Sequence, residues 1–327
     1  MKSALPLAVA LVMAARVGAA APPVTTSGAT AFFPITVEGK VGYVDRQGKV
    51  LANPQFDEGN QAAGGLACVK LSHRWGYVDG SGRLAVTPQF EEAGNFSEGL
   101  ARVKLNRWGF VDRTGHFVVN PQFDRAGDFA GGFAAVRIDD RWGFIDRQGH
   151  IVINPQFKEA EGFSEALAPV AIGDRWGFVD THGKLVVNPQ FKKARAFSSG
   201  LAPVRGEDRW GYADRTGTLA IAPQFDEAWP FMDGLARVRL GDRYGYIDRR
   251  GTLVITPQFD KAGDFHQGLA WARLKDRYGF IGRDGRFVVN PQFDEAEDFV
   301  NGLARVKVDR HWGYIDRDGK FAVNPTK

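Results

Sequence analysis

The chain has 327 residues, of which 44% are hydrophobic and 24% are charged. Its 42 lysine and arginine residues nearly balance 38 acidic residues, so the bulk charge indicates no nucleic acid or other polyanion as a partner. The single cysteine, Cys68, excludes a disulfide within the chain.

Residues 1–20 have the pattern of a secretory signal peptide. Lys2 precedes an apolar run over residues 4–15, and small residues follow that run. The run is shorter than the ~20 residues that a membrane-spanning helix needs. We therefore expect export to the periplasm or the extracellular space without membrane insertion; a buried N-terminal helix is the alternative. Residues 21–31 are small, polar or proline and are expected to form a flexible leader.

From residue 32 to the end, one unit of about 34 residues recurs nine times. Its clearest copy runs from Trp108 through Gly109 to Asp112, with an aromatic and a branched residue between the last two. The glycines that follow the first aromatic position lie at 42, 76, 109, 143, 177, 211, 245, 279 and 313. Residues 32–327 are therefore predicted to form a single repeat array.

Each repeat is predicted to be a three-stranded antiparallel meander. In the clearest copy, the strands cover residues 100–104, 108–112 and 117–120. Asn or Asp favours a hairpin turn between the first two strands, and the Asp-x-x-Gly turn that ends at Gly115 requires positive φ at the glycine. Pro121 is expected to end the sheet.

Phenylalanine forms two columns in the connectors between meanders. Neighbouring repeats would bury these rings for each other, so a lone repeat is not expected to fold. The first column is Phe56, Phe90, Phe123, Phe157, Phe191, Phe225, Phe259 and Phe293; the second is Phe96, Phe129, Phe163, Phe197, Phe231, Phe265 and Phe299. The fold class is all-β, as an open β solenoid of nine meanders. A closed β-propeller-like array is the alternative, disfavoured because propellers typically have 4–8 blades and no segment is left over as a closing strand.

The recurring Trp-Gly-Tyr/Phe-Val/Ile-Asp, Gly and Pro-Gln-Phe pattern resembles the WG repeat family of bacterial proteins. The likeness covers about residues 32–327, although Val41, Tyr244 and Tyr278 replace tryptophan and Ala62 replaces a second-column phenylalanine. The resemblance implies a β-rich interaction scaffold without established catalytic residues. It assigns no functional residue to this chain.

The candidate binding residues are two tryptophans and a column of arginines. Trp229 and Trp271 lie where other repeats have small, polar or charged residues, so we expect both to be exposed; the repeated Trp is expected to pack in the core. The arginines before the repeated aromatic, and those after the repeated aspartate, could bind an anionic polymer or pair with neighbouring acids. The members of the first column chosen as candidates are Arg107, Arg141, Arg175 and Arg209.

No catalytic motif, cofactor motif or metal-ligand spacing stands out in the sequence. We therefore expect a monomeric, non-catalytic exported scaffold without cofactor or metal, whose partner is another exported or envelope protein. Binding of cell-wall polysaccharide or peptidoglycan is the alternative, and an enzyme with a site at the repeat seams is the least favoured hypothesis.

Overall fold

The computed structural model describes residues 31–325. The predicted signal peptide and all but the last residue of the predicted leader lie outside that range. Within it, no helix is long and apolar enough to cross a membrane.

The described residues form nine antiparallel sheets, which we call blades 1 to 9 in chain order. Blade 1 has three strands, and each later blade has four strands that pair in sequence order. Blades 1 to 3 comprise β1 (Phe32–Val37), β2 (Lys40–Asp45) and β3 (Val50–Phe56); β4 (Glu58–Gly59), β5 (Leu66–Leu71), β6 (Arg74–Asp79) and β7 (Leu84–Phe90); and β8 (Glu92–Ala93), β9 (Ala101–Leu105), β10 (Arg107–Val111) and β11 (Phe117–Phe123). Blades 4 to 6 comprise β12 (Arg125–Ala126), β13 (Phe133–Ile138), β14 (Arg141–Asp146) and β15 (Ile151–Phe157); β16 (Glu159–Ala160), β17 (Leu167–Ile172), β18 (Arg175–Asp180) and β19 (Leu185–Phe191); and β20 (Lys193–Ala194), β21 (Ala202–Arg205), β22 (Trp210–Ala213) and β23 (Leu219–Phe225). Blades 7 to 9 comprise β24 (Glu227–Met232), β25 (Leu235–Leu240), β26 (Arg243–Ile247) and β27 (Leu253–Phe259); β28 (Lys261–Ala262), β29 (Ala270–Leu274), β30 (Arg277–Ile281) and β31 (Phe287–Phe293); and β32 (Glu295–Val300), β33 (Leu303–Val308), β34 (His311–Ile315) and β35 (Phe321–Val323).

The prediction of three-stranded repeats is wrong for blades 2 to 9. The connector after each Pro-Gln-Phe contributes a fourth strand, which pairs with the strand that follows it: in blade 4, Arg125 and Ala126 lie opposite Arg137 and Val136. This strand has two residues in most blades and six in blades 7 and 9. Two paired residues are too short to produce an alternating apolar pattern, so the sequence carries no strand signal there.

The prediction that the proline ends the sheet is also wrong. In blade 3, the last strand continues through Pro121 to Phe123, which lies opposite Trp108. Proline is tolerated because this strand is the outer edge of its blade, where an amide N–H can remain outside the ladder. The register shifts between Trp108 and Phe110, so the last strand bulges beside Gly109.

The core consists of separate clusters between neighbouring blades. Phe123 of blade 3 packs with Ala126 and Phe129 of blade 4, and all three are buried. The ring of Phe129 lies edge-on to Phe110 with centroids 4.8 Å apart. Equivalent pairs recur around the chain, which confirms that neighbouring repeats bury the phenylalanine columns for each other.

The blades close into a ring, so the prediction of an open solenoid is wrong and the alternative of a closed propeller is correct. Blade 1 contacts blade 9 as each blade contacts its neighbour: Phe33 packs on Tyr314 with ring centroids 5.2 Å apart, and Tyr314 donates a hydrogen bond to the Pro34 carbonyl oxygen at 2.7 Å. A side-chain carbon on Gly48 would lie 3.6 Å from Val323. Closure uses side-chain packing between blade 1 and blade 9 rather than a strand shared by the termini. The fold is a nine-bladed β-propeller.

Both predicted turns are confirmed in the clearest copy of the repeat. In blade 3, the Asp112 carboxylate accepts hydrogen bonds from the backbone N–H groups of Thr114 and His116 at 2.8 and 3.1 Å. Gly115 has φ of 84°. In the preceding hairpin turn, Asn106 has φ of 64°, the left-handed conformation that asparagine tolerates.

Candidate binding face

The aromatic residue of each repeat begins the second long strand of its blade, at the side of the ring that we call the tryptophan face. This face is defined by Trp75, Trp108, Trp142, Trp176, Trp210, Tyr244, Tyr278 and Trp312. In blade 4, the pairing register places Trp142 between Arg137 and Phe157, so the three side chains share one surface of the blade. Equivalent rows occur in the neighbouring blades.

The glycine after the aromatic residue is explained by close strand packing. A side-chain carbon on Gly143 would lie 2.5 Å from the Ile153 carbonyl oxygen and 2.7 Å from the Pro155 nitrogen. The same approach occurs at Gly109, where the nearest atom is the Val119 carbonyl oxygen at 2.5 Å. The bulged outer strand therefore excludes any larger residue at this position.

The repeated tryptophans are only partly core residues. Trp176 and Trp210 are buried, as the sequence predicts, whereas Trp75, Trp108, Trp142 and Trp312 are half-buried. A cationic group lies over most of these rings: the cation-to-centroid distances are 5.5 Å for Lys70 and Trp75, 5.4 Å for Arg102 and Trp108, 5.3 Å for Lys193 and Trp176, 4.7 Å for Arg195 and Trp210, and 4.4 Å for Arg305 and Trp312. Among residues 31–325, no lysine or arginine covers the Trp142 ring in this way.

Two grooves meet at Trp142. One, of about 510 Å³, lies between blades 3 and 4 and is lined by Trp108 and Trp142; the other, of about 460 Å³, lies between blades 4 and 5 and is lined by Trp142 and Trp176. Arg125 lines both grooves. The tryptophan face therefore offers a continuous surface across three blades that combines aromatic and charged side chains.

A WG containing repeat matches this chain nine times, over residues 42–72, 75–107, 108–142, 142–176, 176–208, 210–244, 244–278, 278–310 and 312–326. The chain belongs to the WG containing repeat family. None of the curated proteins is similar enough in sequence to count as a relative.

One solved structure supports the propeller fold of these WG repeats, and two others show a weaker likeness. A crystal structure of a eukaryotic initiation factor is similar at a TM-score of 0.64 with 11% identity, covering 89% of this chain and 95% of that chain. Kluyveromyces lactis Hsv2p has a TM-score of 0.46 with 9% identity, covering 69% of this chain and 92% of its own. The dihydro-heme d1 dehydrogenase NirN has a TM-score of 0.46 with 12% identity, covering 91% and 72%. At these identities the likeness concerns the fold alone.

The candidate arginines of the WG repeats differ in their partners. Arg107 and Arg209 pair with Asp124 and Asp226, which begin the connectors that follow their blades, at 3.2 and 2.7 Å. Arg175 pairs with Glu207 of the next blade at 2.7 Å. Arg141 forms no ion pair within residues 31–325, because Lys158 stands where blade 3 has Asp124. The column is therefore mostly neutralised, and such exposed pairs each contribute only about 0–1 kcal/mol.

The arginines after the repeated aspartate lie on the opposite side of the ring. The guanidinium groups of Arg147 and Arg215 donate hydrogen bonds to the carbonyl oxygens of Glu98 and Glu165 in the preceding blades. Arg46 of blade 1 lies in the same way beside Gly302 of blade 9. This column joins neighbouring blades, including the pair at the closure.

Trp229 is half-buried rather than exposed as expected. Its ring centroid lies 5.1 Å from the Arg195 guanidinium carbon, 4.1 Å from that of Arg237 and 5.8 Å from the Tyr244 ring. Its backbone carbonyl oxygen accepts a hydrogen bond from Tyr212 at 2.9 Å. These contacts place Trp229 within the packing between blades 6 and 7.

Trp271 is also half-buried, and its ring lies 5.6 Å from Tyr278 and against Gly263, which leaves space for the indole. A carboxylate oxygen of Asp298 lies 3.5 Å from the Nε2 atom of the His266 ring. Burial raises the pKa of Asp298, although His266 opposes that rise. Neither tryptophan lines the grooves at Trp142.

The sequence analysis missed the charged residues that share the grooves with Trp142. These include Arg125, Arg137 and Lys158. A signal existed, because Lys158 and Lys192 occupy a position that is Asp or Glu in six other repeats. Within residues 31–325, no group of three or more histidine, cysteine or acidic side chains could hold a metal ion.

Proposed function

We propose that this chain is a non-catalytic binding scaffold that holds another exported protein on its tryptophan face. The observation that carries the proposal is that Trp108, Trp142 and Trp176, from three consecutive blades, line two adjoining grooves. Half-buried aromatic side chains with neighbouring arginines are enriched where proteins bind one another. The closed ring supports such a surface because every blade is packed on both sides.

Export is part of this proposal. Export rests on the sequence pattern of residues 1–20. The proposal also includes a monomer, because a single copy of the ring already buries its phenylalanine columns. The mass of the mature protein recovered from the cell envelope or medium tests cleavage of the signal peptide, and sedimentation equilibrium tests the monomer. Cytoplasmic protein that keeps its whole signal peptide would contradict export.

Binding of cell-wall polysaccharide or peptidoglycan remains the second candidate function. One observation favours it: the open ring face of Trp142 is suited to stacking on a sugar ring. Trp229, Trp271 and the paired arginines give it less support than expected from the sequence, since their contacts are within the propeller.

One experiment with three full-length proteins separates these functions. Wild type, Trp142→Ala and Leu84→Ala are used to capture proteins from envelope extracts and are also sedimented with purified cell-wall polymer. Leu84 is exposed on an outer strand away from the grooves and serves as the control. We expect saturable capture of a defined protein by wild type and Leu84→Ala but not by Trp142→Ala.

The fold of each variant is checked by circular dichroism and thermal unfolding. Trp142→Tyr is added because blades 7 and 8 carry tyrosine at this position, so the propeller accepts that residue. The polysaccharide function would be supported instead if wild type sediments with the polymer, Trp142→Ala does not, and no protein is captured. Protein capture that is equal in all variants would contradict a role for the tryptophan face.

A further inference from the structure

In each four-stranded blade, the first residue of the short first strand lies directly opposite a residue of the second strand, near the tryptophan face. In three blades this pair is an ion pair, with nitrogen-to-oxygen distances of 2.6–2.7 Å. These are Glu58 with Lys70, Glu92 with Lys104, and Glu295 with Lys307. Opposite charges at directly facing positions stabilise an antiparallel pair of strands, whereas like charges destabilise it.

Blade 4 has two arginines at this position, Arg125 opposite Arg137. Arg125 is exposed and forms no ion pair within the part of the chain that the structure describes. Arg137 pairs with the carboxylate of Asp140, which is 86% exposed in the adjacent hairpin turn. The propeller therefore keeps a repulsive pair on its surface where other blades have an attractive one.

This pair forms one wall of the groove between blades 4 and 5. Arg125, Arg137 and Trp142 belong to blade 4, and Glu159 and Glu161 line the groove from blade 5. Lys158 lies beside these glutamates, but its ammonium group pairs with Asp174 at 2.6 Å. No ion pair within 4.0 Å joins the two walls, among the described residues. Glu159 is instead 3.5 Å from Lys193 of blade 6. The groove thus separates a cationic wall from an acidic wall, with the uncovered Trp142 ring beside the arginines.

We propose that this groove binds a segment of a partner protein in which an acidic side chain lies next to an apolar one. The carboxylate binds Arg125 and Arg137, and the apolar side chain packs on Trp142. This inference rests on the proposed function and specifies the partner that the tryptophan face recognises. A guanidinium pair suits a carboxylate because each group can donate two parallel hydrogen bonds.

The acidic wall favours a peptide over an acidic polysaccharide. A polymer with a carboxylate on every residue would meet Glu159 and Glu161 as well as the arginines, and the like charges would repel. A peptide can place its acidic group on one wall only. The groove of about 460 Å³ admits a few side chains rather than a folded domain.

The other two like-charged pairs have less open surroundings. In blade 6, Lys193 lies opposite Arg205 but contacts Glu159 and covers the Trp176 ring. In blade 8, Lys261 lies opposite Arg273, and the aromatic residue of that row is Tyr278, against which Trp271 packs. The blade 4 pair alone combines an arginine without an ion pair and an uncovered tryptophan, among the blades that the structure describes.

Two substitutions that change the net charge by the same amount test the site in the full-length protein. Arg125→Glu creates a Glu–Arg pair like that of Glu227 and Arg239 in blade 7, so the fold is retained and the thermal midpoint stays equal or rises. Lys261→Glu makes the same change in blade 8 and is the matched control.

The probes are two blocked dipeptides, aspartyl-phenylalanine and its uncharged analogue asparaginyl-phenylalanine. Binding is followed through the indole N–H resonance of Trp142, assigned with Trp142→Tyr.

We expect the aspartyl peptide to shift the Trp142 resonance of wild type and to bind roughly tenfold or more tightly than the asparaginyl peptide, as a charged hydrogen bond requires. Lys261→Glu retains this binding, and Arg125→Glu loses it. Equal affinity for the two peptides, or unchanged affinity in Arg125→Glu, overturns the proposal. So does a shift at Trp142 caused by a uronic-acid oligosaccharide but by neither peptide.

The outcome for the groove is separable from that for the scaffold. If Arg125→Glu still captures the protein that wild type captures from envelope extracts while Trp142→Ala does not, the tryptophan face binds a protein but the arginine pair is not its anchor. If no variant captures a protein and the peptides do not bind, both proposals fail.

Discussion

The hydroxyl of Tyr314 donates a hydrogen bond to the backbone carbonyl oxygen of Pro34 at 2.7 Å, across 280 residues of sequence. Elsewhere, the equivalent tyrosine bonds to a carbonyl 17 residues ahead: Tyr77 to Gly94 at 2.8 Å and Tyr246 to Gly263 at 2.7 Å. The first strand thus supplies the carbonyl acceptor for the tyrosine of blade 9, as the following repeat supplies it for the other tyrosines. This replacement makes the two ends of the array an ordinary junction between blades.

We therefore expect Phe33→Ala to destabilise the protein as much as Phe231→Ala does. Both rings are 1% exposed, and each packs on the equivalent tyrosine, Tyr314 or Tyr212. Removal of a buried phenylalanine costs about 3–5 kcal/mol. Chemical denaturation monitored by fluorescence measures both. An end repeat of an open array would lose far less, so a small effect of Phe33→Ala alone would contradict closure in solution.

The sequence predicted the repeats and turns because both depend on local patterns. The Asp-x-x-Gly turn at Asp112 and Gly115 needs only a nearby carboxylate and positive φ, and the period places the buried columns. Closure depends on the angle between blades, which accumulates over nine junctions and which no single repeat encodes. One clue was present: Phe33, which packs on Tyr314 at the closure, lies outside both phenylalanine columns.

The binding face was only partly predictable for a related reason. Trp142 is visible in the sequence as one member of a column, but its uncovered ring depends on which cations reach it. The pairing of Arg125 with Arg137 depends on the register of a two-residue strand that has no sequence signal. Trp229 and Trp271 stand out in the sequence by their unusual positions, but the space beside them is occupied by arginines or left open by a glycine.

Acid should weaken the turns that carry a threonine beside the aspartate. The Thr114 hydroxyl donates to Asp112 at 2.6 Å and, with two backbone N–H groups, holds the pKa of Asp112 below its usual value; Thr216 does the same for Asp214. A lowered folded-state pKa contributes stability that is present above the unfolded pKa of about 3.9 and is lost as pH falls through the folded pKa.

The unfolding midpoint in urea should therefore fall between about pH 5 and about pH 2. In the double variant Thr114→Ala and Thr216→Ala, both carboxyl pKa values move back towards their usual value, so the fall should be smaller. A fall of the same size as in wild type would show that these hydroxyls do not control the two carboxyl groups.

Two glycines with the same φ should respond differently to alanine. Gly149 and Gly132 both have φ of 86°, but a side-chain carbon on Gly149 would lie 2.8 Å from Val119 of the preceding blade. Within residues 31–325, no atom outside the chain neighbours of Gly132 would lie within 4 Å of such a carbon there. Gly132→Ala should cost about 1–2 kcal/mol for the left-handed backbone. Gly149→Ala should cost about 1–3 kcal/mol more because the blades must separate. Equal unfolding free energies would show that the contact with Val119 is absent in solution.

Trp229→Ala should destabilise the propeller instead of acting only on a ligand. The ring contacts the guanidinium groups of Arg195 and Arg237, and each cation–π contact contributes about 0.5–2 kcal/mol depending on its exposure. Its removal loses both contacts and leaves a cavity between blades 6 and 7. Trp229→Phe keeps a ring there and should recover part of the loss. Trp142→Ala is the matched comparison, since no cation in residues 31–325 covers that ring, and it should affect binding more than the melting temperature. A Trp229→Ala protein that melts like wild type but binds its partner more weakly would instead make Trp229 the exposed anchor that the sequence indicated.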